Sequence, residues 1–281
     1  DVKGHRIFVA ALGNNTVEVL DTQGTQRRSI SGLGEPQGVL YLPDSNRLFI
    51  ANGGADRLDV VDAAALSVLK RVGGLSDADN VRYDGAAGRV LVGYGHGALK
   101  LVEPQTGELT GDIALPGHPE SFQLEQHGTR AFVNVPSAHR VVVVDRTSRK
   151  RVAEWPTGNA SSNYPMALDE ASHRLFVGAR SPAELLVYDT QSGKIVAALA
   201  IGRDTDDLFF DARRKRIYAI CGEGRVDVIR QDSPDRYVSQ ESIKTASRAR
   251  TGLFVPEESR LYVAAPADGA SSARVLVFEA R

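Results

Sequence analysis

The sequence predicts an all-β fold, a seven-bladed β-propeller of four-stranded antiparallel blades spanning residues 1–281 as one domain. Two observations predict it. A unit of roughly 42 residues recurs seven times, and each unit reads as four short strands separated by turn residues. Helical periodicity of useful length is absent.

The units are anchored on a strand with an arginine near its start: HRIFVA (5–10), NRLFIA (46–51), GRVLVG (88–93), TRAFVN (129–134), HRLFVG (173–178), KRIYAI (215–220) and SRLYVA (259–264). The arginines are Arg6, Arg47, Arg89, Arg130, Arg174, Arg216 and Arg260, spaced 41, 42, 41, 44, 42 and 44 residues apart. A second strand follows each, as in TVEVLD (16–21), RLDVVD (57–62), RVVVVD (140–145) and ELLVYD (184–189). These runs are short, β-branched and bounded by turn residues, as strands are. Turns such as EPQTG and DTQSG lead to a third strand, and a further strand precedes each arginine motif from the second unit on: GVLYL, NVRYD, SFQLE, MALDE, DLFFD and GLFVP.

If the strands of one blade are lettered A to D, the arginine strand is B. The chain then supplies seven B, seven C, six D and six A strands. The first blade lacks A and the seventh lacks D. Unpaired sheet edges invite aggregation, so the expectation is that residues upstream of Asp1 supply both strands. The start at Asp1 is equally expected to reflect either a removed signal peptide or trimming.

Composition narrows the function. Apolar residues make up 42% of the chain, enough for a large core, and 34 Lys+Arg against 35 Asp+Glu leave a net charge of −1. That balance argues against a nucleic-acid binder, which needs a concentrated cationic surface. No apolar run approaches the roughly 18 residues of a membrane-spanning helix. One cysteine, Cys221, excludes an internal disulfide and any multi-cysteine metal centre. Nucleophile elbow, HExxH, phosphate-loop and dinucleotide fingerprints are all missing, and GYGHG (93–97) reads as a hairpin turn.

The repeat and its turns resemble the YVTN-repeat propellers of the bacterial YncE-like group over the whole chain. The resemblance implies a seven-bladed disc, a periplasmic or secreted location, and a ligand or partner site on one face.

In such a fold the D–A and B–C loops gather on one face. Counting back from each arginine locates them. Six and eight residues before it, positions are apolar and are expected to pack blade against blade: Val39 and Tyr41, Val81 and Tyr83, Phe122 and Leu124, Met166 and Leu168, Leu208 and Phe210. Nine to twelve residues before it the repeat breaks: Glu35 and Gln37; Asp77, Asp79 and Asn80; His118, Glu120 and Ser121; Asn163 and Tyr164; Asp204, Asp206 and Asp207; Arg248, Arg250 and Thr251. The B–C loops add Asn14, Asn15, Asn52, Asp56, Tyr94, His96, Asn134, His139, Arg180, Cys221 and Glu223.

The candidate ligand-binding set is therefore Gln37, Asp79, Asn80, His118, Glu120, Asn163, Tyr164, Asp206, Asp207 and Arg250. A carboxylate-rich mouth favours a cationic ligand or one divalent ion (Ca²⁺, Mg²⁺ or Zn²⁺), although nothing in the sequence requires a cofactor. Side-chain capping of loop backbone is the competing explanation for each Asp, Asn or Ser at these junctions. His5, His173 and the seven arginines recur with the repeat and are expected to be structural. His127 falls in an A–B turn.

Two functions follow. One is a non-catalytic protein binding a small molecule, ion or peptide at the mouth of the central channel. The other is a metal-dependent lactonase or esterase-type hydrolase. Regucalcin-like lactonases are similar in placing Glu, Asn and Asp on one cation, and Asn80, Glu120 and Asp206 (or Asp207) match those parts, although those enzymes have six blades.

Overall fold

The computed structural model describes residues 1–24, 27–269 and 271–281. It consists of seven successive antiparallel sheets, a seven-bladed β-propeller. The first sheet holds β1 (Arg6–Ala11), β2 (Thr16–Asp21) and β3 (Arg27–Ile30). The second holds β4 (Pro36–Leu42), β5 (Arg47–Asn52), β6 (Arg57–Asp62) and β7 (Ser67–Gly73). The third holds β8 (Val81–Asp84), β9 (Arg89–Tyr94), β10 (Ala98–Val102) and β11 (Leu109–Ala114). The fourth holds β12 (Phe122–Leu124), β13 (Arg130–Val135), β14 (Arg140–Asp145) and β15 (Lys150–Pro156).

The fifth sheet holds β16 (Ser161–Asp169), β17 (Arg174–Ser181), β18 (Ala183–Asp189) and β19 (Ile195–Ala200). The sixth holds β20 (Thr205–Asp211), β21 (Arg216–Cys221), β22 (Arg225–Ser233) and β23 (Arg236–Ser239), with β24 (Ile243–Lys244) also pairing with β22. The seventh holds β25 (Thr251–Val255), β26 (Arg260–Ala265) and β27 (Arg274–Glu279). The first and seventh sheets have three strands, where the repeat predicts an absent A and an absent D strand.

Contacts divide the chain into two compact units, one of Asp1–Glu120 with Val144–Arg151 and one of Ser121–Val143 with Val152–Arg281. In the first, Phe49, Leu58, Val60, Val81, Val90 and Val92 bury together between the second and third sheets. In the second, Phe132, Val141, Trp155, Met166, Leu175 and Tyr188 form one cluster, and Phe176, Leu185, Leu208 and Ile217 belong to another. The strands alternate side chains between two faces, and both faces of the B strands are covered, so β5 and β13 are buried almost throughout. Burial at this scale, about 25 cal/mol per Å² of apolar surface, is what holds successive blades together.

The residue eight before each arginine packs as expected: Val81, Phe122, Met166 and Leu208 are buried. The residue six before it packs there too, Tyr41 on Phe8, Phe210 on Phe176 and Phe254 on Tyr218 of the neighbouring blade, while Tyr83 is 41% exposed.

The arginines explain their own recurrence. Each sits at the start of a B strand and several reach a backbone carbonyl in the next blade. Arg47 Nη1 donates to Pro104 O at 2.7 Å, Arg174 Nε to Pro234 O at 2.9 Å, and Arg130 Nη1 to Thr190 O at 2.5 Å. Arg6 makes the same bond to Ala63 O, and Arg216 to Arg281 O. Five donors in a rigid fork let one guanidinium satisfy carbonyls that a C–D turn leaves unpaired. The residue just before the arginine takes a left-handed conformation at His5, Asn46, Gly88, His173, Lys215 and Ser259. His5 and His173 are therefore turn residues of the repeat. His127, on an A–B turn, faces Glu170 with its side chain 88% exposed.

Candidate functional site

The loops ahead of the A strands carry two different kinds of information, separable by register. Twelve residues before the arginine, Glu35, Asp77, Ser162, Asp204 and Arg248 all have φ between 48° and 64°. Side chains that share nothing chemically share one left-handed turn. The B–C turn of the preceding blade secures it: the Glu35 amide donates to Asn15 Oδ1 at 2.8 Å, and the Asp77 amide to Asp56 Oδ1 at 3.1 Å. Asn15 and Asp56 thus act as capping residues. Asn52 likewise is fully buried and accepts from the Gly34 amide at 3.2 Å.

Ten residues before the arginine the side chains are Gln37, Asp79, Glu120, Tyr164, Asp206 and Arg250, one per blade. In β4, β16 and β20 the pairing with the B strand slips at this point, between Pro36 and Val39, between Asn163 and Met166, and between Thr205 and Asp207. A bulge of this kind re-aims a side chain that regular pleating would turn elsewhere.

In the first unit, Asp79, His118 and Glu120 each offer a ligand atom, and these atoms all lie within 4.8 Å of one another. The backbone around them is pinned. The Asp79 amide donates to Gly93 O at 3.0 Å, and the Gly93 amide donates to Asn80 O at 2.9 Å. A Cβ on Gly38 would overlap the Asp79 carbonyl oxygen, and one on Gly93 would lie 3.1 Å from Pro119. His118 Nδ1 is 2.7 Å from Gly95 O, and Asp77 Oδ2 lies 3.5 Å from the same nitrogen. A carbonyl can only accept, so Nδ1 is the donor in that contact and Nε2 is the ring nitrogen it leaves for a ligand. Gln37 lies against Gly53, whose Cβ, were there one, would be 2.5 Å from Gln37 Nε2.

In the second unit a charged quartet forms. Arg180 Nη2 donates to Asp206 Oδ1 at 2.5 Å and its Nε donates to Thr205 O at 2.9 Å, while its guanidinium stacks 4.2 Å from the Tyr164 ring centroid. Arg250 Nη1 donates to Asp204 Oδ1 at 3.0 Å, and its Nε lies 3.2 Å from Asp206 Oδ2. Burial pushes the Asp206 carboxyl above the ordinary carboxylate range, and the two guanidiniums pull against that shift. Asp206 therefore has arginine partners, and Glu120 has His118 and Asp79 beside it.

Other expected residues hold the loops. Asn163 is fully buried, its Nδ2 donating to Asn134 Oδ1 at 2.9 Å and Arg140 O at 3.2 Å. Asn134 in turn donates to Tyr164 O at 2.9 Å. Asp207 Oδ2 accepts the Gly252 amide at 2.7 Å, tying the sixth blade to the seventh. Tyr94 turns to Asp112, donating at 2.9 Å, and His96 is exposed. Cys221 is buried, with its thiol pushed up to about 12 by burial and then by the Asp227 charge.

No helix among the described residues is long and apolar enough to cross a membrane. No family model matches the chain, and no curated protein matches it. Solved structures do. A chain of a mitotic checkpoint complex crystal structure superposes with a TM-score of 0.82 at 14% identity, covering 98% of this chain and 84% of that one. A chain of Kuenenia stuttgartiensis hydrazine synthase does so with a TM-score of 0.83 at 15% identity, covering 98% and 92%. At such identities the likeness is one of fold: the chain is a seven-bladed β-propeller.

Proposed function

We propose that the chain is an exported, non-catalytic binding propeller of the YVTN-repeat, YncE-like kind, which takes a small molecule, a metal ion or a partner peptide on its polar rim. One observation carries the reading. The residue ten before the arginine varies among polar groups in the second to seventh blades (Gln37, Asp79, Glu120, Tyr164, Asp206 and Arg250), while the residue eight before it is apolar from Val39 to Leu208. Turn chemistry accounts for the twelfth position in the five blades where the backbone repeats, and leaves His118 and the tenth position unexplained. Polar side chains that meet on a rigid framework, as Asp79, His118 and Glu120 do in one unit and Asp204, Asp206 and Arg250 do in the other, are the ordinary form of a ligand site. Export to the periplasm or medium rests on the resemblance of the repeat, and a single buried thiol places no demand on the redox compartment.

A thermal-shift screen of divalent ions, organic amines and short peptides tests this. The wild type is compared with Glu120→Gln, Tyr164→Ala and Arg250→Gln on the rim and His127→Ala in an A–B turn. The reading expects at least one stabilising compound whose effect disappears in a rim variant and survives in His127→Ala. Stabilisation indifferent to every rim variant would contradict it.

The same Asp79, His118 and Glu120 favour a second reading, metal-dependent hydrolysis of a lactone or ester. A cation held by three side chains keeps positions open for water and lowers its pKa. Lactone turnover abolished by chelation and restored by the ion supports this reading, and its absence in the ion-loaded protein rejects it.

A further inference from the structure

We infer that Asp79, His118 and Glu120 form a binding site for a first-row transition-metal dication of the zinc class, a site that deepens the rim-binding reading and rests on it. The donor set decides the class of ion. Ca²⁺ and Mg²⁺ take oxygen ligands, whereas an imidazole with two carboxylates suits Zn²⁺, Co²⁺, Ni²⁺ or Mn²⁺. This narrows the expectation from Ca²⁺, Mg²⁺ or Zn²⁺ to the last.

The geometry is close to what such an ion needs. Three atoms within 4.8 Å of one another share a point within about 2.8 Å of each, so adjustments of under about 1 Å give bonds of roughly 2.0–2.2 Å. His118 and Glu120 are two residues apart, flanking Pro119, in the loop ahead of β12. Asp79 enters from the neighbouring blade on a segment fixed by its own amide and by the Asn80 carbonyl.

The surroundings of the histidine match a ligand's. A metal-bound imidazole usually donates its other ring N–H to a carbonyl or carboxylate, which fixes tautomer and ring plane. His118 Nδ1 does this to Gly95 O at 2.7 Å, with Asp77 Oδ2 at 3.5 Å. The imidazole is about a quarter exposed, so an ion can enter from solvent. Asp204 and Asp206 of the second unit pair with Arg180 and Arg250.

Chelator-stripped full chain titrated with Co²⁺ tests the site, with Zn²⁺ as competitor and Ca²⁺ and Mg²⁺ as controls. The expected result is one Co²⁺ per chain with visible d–d bands, displaced by equimolar Zn²⁺ and untouched by a hundredfold excess of Ca²⁺ or Mg²⁺. Asp79→Asn, Glu120→Gln and His118→Gln should each weaken Co²⁺ binding at least tenfold. A second measurement needs no variant: X-ray absorption at the zinc edge of the loaded wild type should show one imidazole with oxygen donors. Absence of saturable binding, equal binding in all three variants, or a spectrum without imidazole would each overturn the assignment. The rim reading survives such a failure if screened compounds still lose their effect in Tyr164→Ala or Arg250→Gln, and it falls with the assignment if they do not.

Discussion

Arg174 Nε donates to the carbonyl oxygen of Pro234 at 2.9 Å, sixty residues further on and one blade away. The same guanidinium meets Asp189 and Asp235, each at 2.6 Å, and is almost buried. Hydrogen bonds to a charged donor contribute about 1.5–3 kcal/mol. Arg174→Gln should therefore lower unfolding free energy by about that amount in urea titrations. Metal or ligand binding by the folded variant should be unchanged. A neutral effect on stability would contradict the latch role assigned to the repeating arginines.

Glu18 provides a pH test. Its carboxylate accepts from Arg27 at 2.8 Å, Ser29 at 2.6 Å and Thr16 at 2.7 Å, and Arg27 above all lowers it from 4.5 to about 2. A pKa depressed by folding stabilises the folded state above the unfolded value, and that contribution is lost as pH falls through the folded one. The stability difference between wild type and Glu18→Gln should thus be constant above pH 5 and shrink between about pH 4.5 and 2. A difference that grows on acidification would reverse the assigned sign.

Cys221 should be unreactive. Its thiol lies 3.5 Å from Ala219 O and 4.0 Å from the Asp227 carboxylate, and burial pushes it up to about 12. Thiolate is the reactive form. A disulfide reagent at pH 8 should label less than a tenth of the native protein in the time that fully labels the urea-unfolded chain. Rapid labelling of the native state would show the pocket to be open.

Gly38 tests the coupling between framework and site. A Cβ there meets the Asp79 carbonyl oxygen, a backbone atom that cannot rotate aside. Gly38→Ala should destabilise the protein by about 1–3 kcal/mol, as overpacking does. It should also weaken Co²⁺ binding by shifting Asp79, measured by the same visible titration. Unaltered affinity in a destabilised variant would separate the two.

Much of this was legible in the chain. The blades could be read because each must bury the same faces, which forces Val, Ile and Leu to recur at fixed offsets from the arginine. The rim was legible as a break in that recurrence. Which of its residues matter was not. Glu35, Asp77, Ser162, Asp204 and Arg248 look unlike in sequence yet share one left-handed turn, because φ is a backbone property that several side chains tolerate. Asn163 reads as a ligand and is buried as a bracing amide, since an amide serves either purpose equally well. The convergence of Asp79 with His118 depends on two blades meeting across some forty residues of chain. Matching the tenth and twelfth positions of neighbouring blades is the signal that could have found it.

Crystals of the full chain soaked in Zn²⁺, with anomalous differences recorded at the zinc edge, test the central claim most directly. The account predicts one dominant peak bounded by Asp79, Glu120 and the Nε2 of His118, and its disappearance in Glu120→Gln crystals. A dominant peak elsewhere, or no peak at this triad in fully soaked crystals, would contradict it.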